Sequence, residues 1–324
     1  MDVYVLRKGS LILVAMLLAG CETLQPPLAE PVEEPIEIIV EEAPVVEVQP
    51  LPEPEVPEPP PPLPFVSIVL TNSQPAYADV ARALTRHFDN YAIYDLDKDD
   101  RPPTTILRVI NDSNPGAVIA IGLRAARSSV AMSDHPVVLS QVFNYEHHKL
   151  LQNNSRGVAA LPPVDAQIAA WKEVDQSVER IGLIIGEGHE ELVTAAEVAA
   201  QRHDIDLVVR VARSDQETLY FFRRMLRDVD GLWLLPDNRI LSARVLQQML
   251  TEAKQRRFPV SVPSESMLSL GAMISMTTQA ADIAETIANV VRKIQEGNIE
   301  GVSPITQLSA ITIKTKGDKQ VVSR

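Results

Sequence analysis

The chain predicts an α/β fold, doubly wound around parallel sheets and repeated in two lobes, and three observations predict it. From residue 65 onward, short runs rich in Val and Ile alternate with longer amphipathic segments. Several of the short runs are apolar on both faces, as strands are when helices cover a parallel sheet from both sides. The alternating part is about 260 residues long, large for one compact core and comfortable for two of roughly 130 each.

Strands are expected at residues 65–70, 91–95, 117–121, 136–142, 180–185, 206–211, 231–235 and 259–262. Between the fourth and fifth, Val164, Ile168, Trp171 and Val174 recur at helical spacing. After the sixth, Ser214 and Glu217 form a capping-box pair, and Leu219, Phe222, Leu226 and Val229 then fall on one helix face. The next helix covers residues 241–257 and buries Val245, Leu246, Met249 and Leu250. Further on, Ile283, Ile287, Val290 and Ile294 face one way until Gly297 stops the helix.

The first 64 residues have a different character. Arg7 and Lys8 precede an apolar run, residues 11–19, too short to span a bilayer, and Leu18-Ala19-Gly20-Cys21 follows. This is the anatomy of a bacterial secretory signal, and its last four residues resemble the lipobox of bacterial lipoproteins. The resemblance implies that Cys21, the only cysteine, carries a diacylglycerol and that the new N-terminus takes a third acyl chain. At roughly 0.8 kcal/mol per buried methylene, such chains tie a protein to a membrane. Residues 22–64 contain eleven Glu, fourteen Pro and no Lys, Arg or Asp. That composition buries too little apolar surface to offset its ordering entropy, so it reads as a disordered stalk. In polyproline-like form it reaches up to roughly 130 Å.

The stalk accounts for most of the charge. Of the formal −13, it carries −11 and the leader +1, which leaves −3 for residues 65–324. A nearly neutral domain gives no electrostatic case for nucleic acid. Arg223-Arg224 and Arg256-Arg257 read as isolated pairs on solvated helix faces. With its single cysteine lipidated, the mature chain has no disulfide.

In doubly wound sheets, ligands bind at the loops that follow the carboxyl ends of strands. Here those loops are polar or glycine-bearing: Thr71, Asn72 and Ser73 after the first strand, Gly122 after the third, Gly186-Glu187-Gly188-His189 after the fifth, Asp237 and Asn238 after the seventh, Ser264 and Glu265 after the eighth. Their hydroxyls, amides and helix N-terminal N–H groups suit a small polar ligand. The same residue types also cap helices and form turns, so it is the set that supports a cleft.

The runs Arg180–Gly186, Leu234–Asn238 and Pro259–Glu265, the last leading to Leu270-Gly271-Ala272, resemble blocks of the ABC-transporter substrate-binding proteins related to tryptophan- and tyrosine-binding lipoproteins. The resemblance spans residues 65–313. It implies the type I periplasmic-binding-protein fold, with two lobes joined by three crossovers and a hinge that closes on a ligand. On this basis the first lobe takes residues 65–145 and 271–324 and the second residues 155–265. Asp237, Asn238, Ser264 and Glu265 would face Thr71, Asn72 and Gly122 across the cleft. Two stretches depart from the family pattern. Residues 143–148, Phe-Asn-Tyr-Glu-His-His, replace its aspartate-proline turn, and Asn154-Ser155-Arg156-Gly157 replaces its asparagine-any-threonine-glycine run. Tyr145 and Phe143 then serve either as a stacking surface for a ligand ring or as hinge packing.

Nothing points to an enzyme. There is no lysine-bearing phosphate loop and no Gly-x-Ser-x-Gly elbow. His147 and His148 are adjacent and point apart, and His189-Glu190-Glu191 lacks a second zinc-binding histidine, so these read as surface histidines. Neither a cofactor nor a metal is expected. Two functions follow. One is a solute-binding protein that captures a small molecule, such as an amino acid, for an ABC permease. The other is a non-catalytic scaffold or regulator that contacts a cell-envelope protein. The long stalk suits bridging between envelope layers, and by fold and architecture the chain resembles outer-membrane lipoproteins that activate peptidoglycan synthases across the periplasm. Glu22, in place of the aspartate that retains lipoproteins in the inner membrane, favours an outer-membrane anchor facing the periplasm.

Overall fold

The computed structural model describes residues 65–317 and 320–323; the lipobox cysteine Cys21 and the stalk lie outside them. The first lobe is built by β1 (Val66–Leu70), α1 (Pro75–Leu84), β2 (Tyr91–Asp95), α2 (Pro103–Asp112), β3 (Ala117–Ile121), α3 (Leu123–Met132), β4 (Val137–Ser140) and β5 (Ser155–Val158). The second follows with α4 (Val164–Val174), β6 (Arg180–Ile185), α5 (Glu190–Arg202), β7 (Asp206–Val211), α6 (Asp215–Met225), β8 (Gly231–Leu234), α7 (Ala243–Arg256), β9 (Val260–Val262), α8 (Met267–Leu270) and β10 (Ile274–Thr277). The chain then returns to the first lobe through α9 (Ala280–Gln295) and β11 (Ile305–Thr306), and ends in the second with β12 (Ile311–Thr315) and β13 (Gln320–Ser323).

Two sheets result, ordered β11-β5-β4-β3-β1-β2 and β13-β12-β10-β9-β8-β6-β7. All pairings are parallel except those of β12 with β10 and with β13. β1 and β3 are buried at every position because helices cover both faces of their sheet. On one face Ile283, Ile287, Val290 and Ile294 of α9 join α1 over Val66, Ile68 and Ile119. On the other, Ile106, Leu107 and Ile110 of α2 meet Val69, Val118 and Ala120. The second lobe repeats the plan: Ile168 and Trp171 of α4 lie over Ile181, Leu183 and Trp233, and Phe222, Met249 and Leu250 of α6 and α7 lie over Ile184, Leu232 and Leu234. Each such side chain contributes about 1.5–3 kcal/mol by leaving water.

All eight expected strands form. Ser214 caps α6 by accepting from the Glu217 N–H at 3.2 Å, and the Glu217 carboxylate accepts from Arg213 N–H at 2.8 Å, one residue earlier than a strict capping box would have it. α7 starts at Ser242, whose hydroxyl accepts from the Val245 N–H. Gly297, at φ +80°, follows the end of α9.

The lobe boundaries differ from those expected. β5 pairs with β4 and β11, so residues 155–158 belong to the first lobe, while β10, β12 and β13 extend the second sheet. The physical reason is strand pairing over long sequence distances: Ser-Arg-Gly-Val and Ile-Ser-Met-Thr carry little apolar signal of their own. The chain crosses between sheets three times, at residues 159–163, 278–279 and 307–310. Backbone bonds from Gly157 N–H to the Pro304 carbonyl and from Ala159 N–H to the Thr306 carbonyl hold side by side the strands that lead into two of the crossings, and Thr278 Oγ1 donates to the Ala310 carbonyl. The basic pairs on α6 and α7 are also not isolated. Glu252 accepts from Arg223 at 3.2 Å and lies 3.4 Å from Arg256, so the two helices share one charged face.

Candidate functional site

The mouth of the first lobe is assembled from the ends of β1, β2 and β3. Thr71 Oγ1 accepts from the Ala125 N–H at 3.1 Å and so caps α3 from a neighbouring strand. Gly122, at φ +86°, makes the turn into α3; a Cβ there would lie 2.7 Å from Thr71 Oγ1 and 2.9 Å from Tyr77 Cζ. Only glycine fits this close approach at positive φ. Asn72 Oδ1 accepts from the Gln74 N–H at 3.1 Å at the start of α1, which leaves its amide NH2 available. Ser73 donates to Asp95, and Arg124 pairs with Asp97. Tyr77 was not foreseen as part of this mouth; burial raises its phenol pKa. Its one sequence signal is an aromatic residue in the first turn of α1.

The mouth of the second lobe centres on Asp237, which is 1% exposed. Arg239 donates to it from Nε at 2.9 Å, from Nη2 at 2.7 Å and from its backbone N–H at 3.2 Å. Gly186 N–H donates at 3.0 Å, Asn144 Nδ2 at 3.2 Å, and His189 Nε2 stands 3.5 Å away. Burial alone would push the Asp237 carboxyl up; the Arg239 bonds, with His189 close by, outweigh it and hold the group well below the usual carboxylate range. The same bond to Asp237 raises Arg239. Gly186 is required here, because a Cβ would meet Asp237 Oδ2 at 2.6 Å and Arg239 Nη2 at 2.7 Å.

The remaining candidates surround this centre. Glu187 pairs with Arg213 at 2.6 Å, and its carbonyl accepts from Arg239 Nη1 at 2.8 Å. Asn238 is exposed beside Asp237. Ser264 bonds Ser266 at 2.9 Å, and Glu265 pairs with Lys314 at 2.7 Å. Thr71 and Gly122 are brought into contact, and Asp237 is brought to the Glu187 loop. Among the described residues, no hydrogen bond runs directly from Thr71, Asn72 or Ser73 to the second lobe.

The lobes are bridged instead by the loop between β4 and β5, the stretch that departs from the family pattern. Tyr145 anchors it in the first lobe: the ring is 2% exposed, and its hydroxyl donates to the Leu139 carbonyl at 3.2 Å or the Val158 carbonyl at 2.7 Å. Burial pushes this phenol far up. Tyr145 is therefore hinge packing and offers no stacking surface, which corrects its place among the ligand candidates. Phe143 reaches the second lobe and lies 4.8 Å from the His189 ring, centroid to centroid. Asn144 bonds Asp237, and His147 Nδ1 is 3.4 Å from Arg239 Nη1. His189 is consequently no surface histidine, with its side chain only 9% exposed. Asn144 and Arg239 were missed as site residues, and His189, though in a strand-end loop, was read as a surface histidine, because their roles depend on loops far apart in sequence; Gly186, a glycine ending an apolar strand, was the one local sign of a close approach. Among the described residues, no cluster of His, Asp and Glu could hold a metal ion.

Two doubly wound lobes, joined by three crossovers and carrying polar loops at the carboxyl ends of both sheets, define a protein of the type I periplasmic-binding-protein fold. The profile of the family described as ABC transporter substrate binding protein matches residues 89–313, and the chain belongs to that family. Three solved structures share the fold. A conserved domain protein from Vibrio cholerae O1 biovar El Tor is 21% identical with a TM-score of 0.55, over 78% of this chain and 91% of that one. The ABC domain from Streptococcus pneumoniae in complex with L-Trp is 15% identical, TM-score 0.54, over 76% and 91%. A ligand-free, open substrate binding protein with adhesive properties from Clostridium difficile is 15% identical, TM-score 0.59, over 79% and 93%. No curated protein sequence matches significantly.

Proposed function

We propose that this protein captures a small polar solute between its two lobes, outside the cytoplasm, and presents it to an ABC-type importer. The observation that carries this reading is the family match across both lobes, from residue 89 to residue 313. The first-lobe mouth supports it: the Asn72 amide, the Tyr77 hydroxyl and the start of α3 offer polar groups beside Gly122, where backbone can approach a ligand closely. Asn238, Glu187, Ser264 and Glu265 supply the opposing rim. The aromatic amino acid bound by the Streptococcus pneumoniae domain makes amino acids the first solutes to try. Anchoring through Cys21 and the stalk, at the outer membrane and facing the periplasm, completes the proposal.

A second reading, an anchored scaffold that contacts an envelope protein, is favoured by one observation. The chain's own side chains already occupy Asp237 at the second-lobe mouth. Thermal unfolding of the full chain against amino acids, nucleosides, sugars and peptidoglycan fragments separates the two. A true ligand at 100 times its Kd stabilises by about 2.7 kcal/mol, or roughly 5–11 °C for a domain this large. A saturable shift lost in Asn72→Ala supports solute capture. A flat response across the panel rejects it and directs the search to cross-linked protein partners.

A further inference from the structure

Resting on the solute-capture reading, we infer that Arg239 sets the class of solute: it holds the one buried carboxylate at the cleft mouth, so the cleft selects solutes that place no ammonium group in the second lobe. Asp237 is the only Asp or Glu buried among the described residues. A buried carboxylate is the strongest acceptor a protein can offer an ammonium group, because low local dielectric and the absence of competing water strengthen the pair. Here every acceptor position is taken. Arg239 grips both oxygens, Gly186 and Asn144 add one bond each, and His189 approaches from the remaining side. The guanidinium is itself fixed by the Glu187 carbonyl and by His147.

Four other carboxylates at the two mouths are also engaged. Asp97 is matched by Arg124, Glu187 by Arg213 and Glu265 by Lys314, while Asp95 accepts from Ser73 and from the backbone N–H groups of Asp97 and Lys98. Those three ion pairs are exposed, so water screens whatever an ammonium group could gain from them. The Asp237–Arg239 pair, at 1% and 18% exposure, is not screened in this way. The guanidinium stands where a solute cation would otherwise sit, and solutes ending in a neutral or carboxylate group meet no corresponding penalty.

Three probes sharing one ring test this: L-tryptophan, indole-3-propionate, which lacks the ammonium, and tryptamine, which lacks the carboxylate. Binding is measured by calorimetry on the full chain. The wild type is expected to show no preference for tryptamine or L-tryptophan over indole-3-propionate. In Arg239→Ala the guanidinium bonds to both Asp237 oxygens are gone, and tryptamine and L-tryptophan tighten at least tenfold relative to wild type. The gain disappears in the Asp237→Asn/Arg239→Ala double variant. A wild type that binds L-tryptophan or tryptamine tenfold tighter than indole-3-propionate, with the preference lost in Asp237→Asn, overturns the inference; so does a folded Arg239→Ala that gains nothing. If Arg239→Ala does not fold, Asp237→Asn alone decides, since the inference requires the order of the three probes to match wild type. Should no panel solute stabilise wild type while Arg239→Ala still gains tryptamine, the solute-capture reading fails and solute selection with it, while the masking of Asp237 by Arg239 stands.

Discussion

Replacing Asp237 by alanine tests whether the second-lobe mouth is held together by its buried ion pair. The substitution strips the acceptor from Arg239 Nε and Nη2, from the Gly186 N–H and from Asn144 Nδ2. Removing one partner of a buried pair costs about 3–5 kcal/mol. Arg239 retains 18% exposure and can rehydrate in part, which places its share near about 3 kcal/mol. The buried Gly186 N–H, left without a partner, adds about 1 kcal/mol. The total of about 4 kcal/mol corresponds to a fall in Tm of roughly 8–16 °C. Asp97→Ala is the control: its pair with Arg124 is half exposed, and its loss costs at most about 1 kcal/mol. The assay is thermal and urea unfolding of both variants beside wild type. Asp237 is depressed in the folded state, so its contribution is fully present above the unfolded value of about 3.9 and is lost only as pH falls toward the folded value. The gap between wild type and Asp237→Ala should therefore be as large at pH 5.5 as at pH 7.5. A loss no greater than that of Asp97→Ala would refute the argument that this pair is buried and fully bonded.

Two further perturbations probe other parts of the fold. In Gly231→Ala the new Cβ would meet the Trp171 ring at 2.5 and 2.7 Å, so the variant loses about 2–3 kcal/mol by overpacking; Trp171→Leu in the same chain should recover part of that in a double-mutant cycle. The His148 pKa is lowered by burial first, then by His147, Arg127 and Arg239, with Asp237 opposing. A depressed histidine contributes stability above its unfolded value of about 6.5 and loses it as pH falls through the folded value. His148→Asn should accordingly flatten the decline in stability between pH 7 and pH 5, measured as urea midpoints; an unchanged slope would remove His148 as its source.

The amino-acid sequence by itself determined the alternation of strands and helices, because burial on one or both faces of a segment writes a local period. β1, β3 and β6 were legible as runs apolar on both faces, and α6 and α9 as one-sided stripes. It also located the loops at the strand ends, where Thr71, Gly122 and Asp237 stand. Only the tertiary structure decided what those loops do. β5 and β10 have weak patterns of their own and acquire their lobes from the strands beside them. Arg223 and Arg256, 33 positions apart, become neighbours through Glu252 because α6 and α7 pack side by side. Asp237, a plausible ligand group in the sequence, is engaged by Arg239, by Gly186 and by Asn144 from the other lobe. Tyr145 is drawn into the hinge by two backbone carbonyls. A period reports whether a segment is buried; the partner of a buried charge is set by which distant loops meet, and no local pattern carries that information.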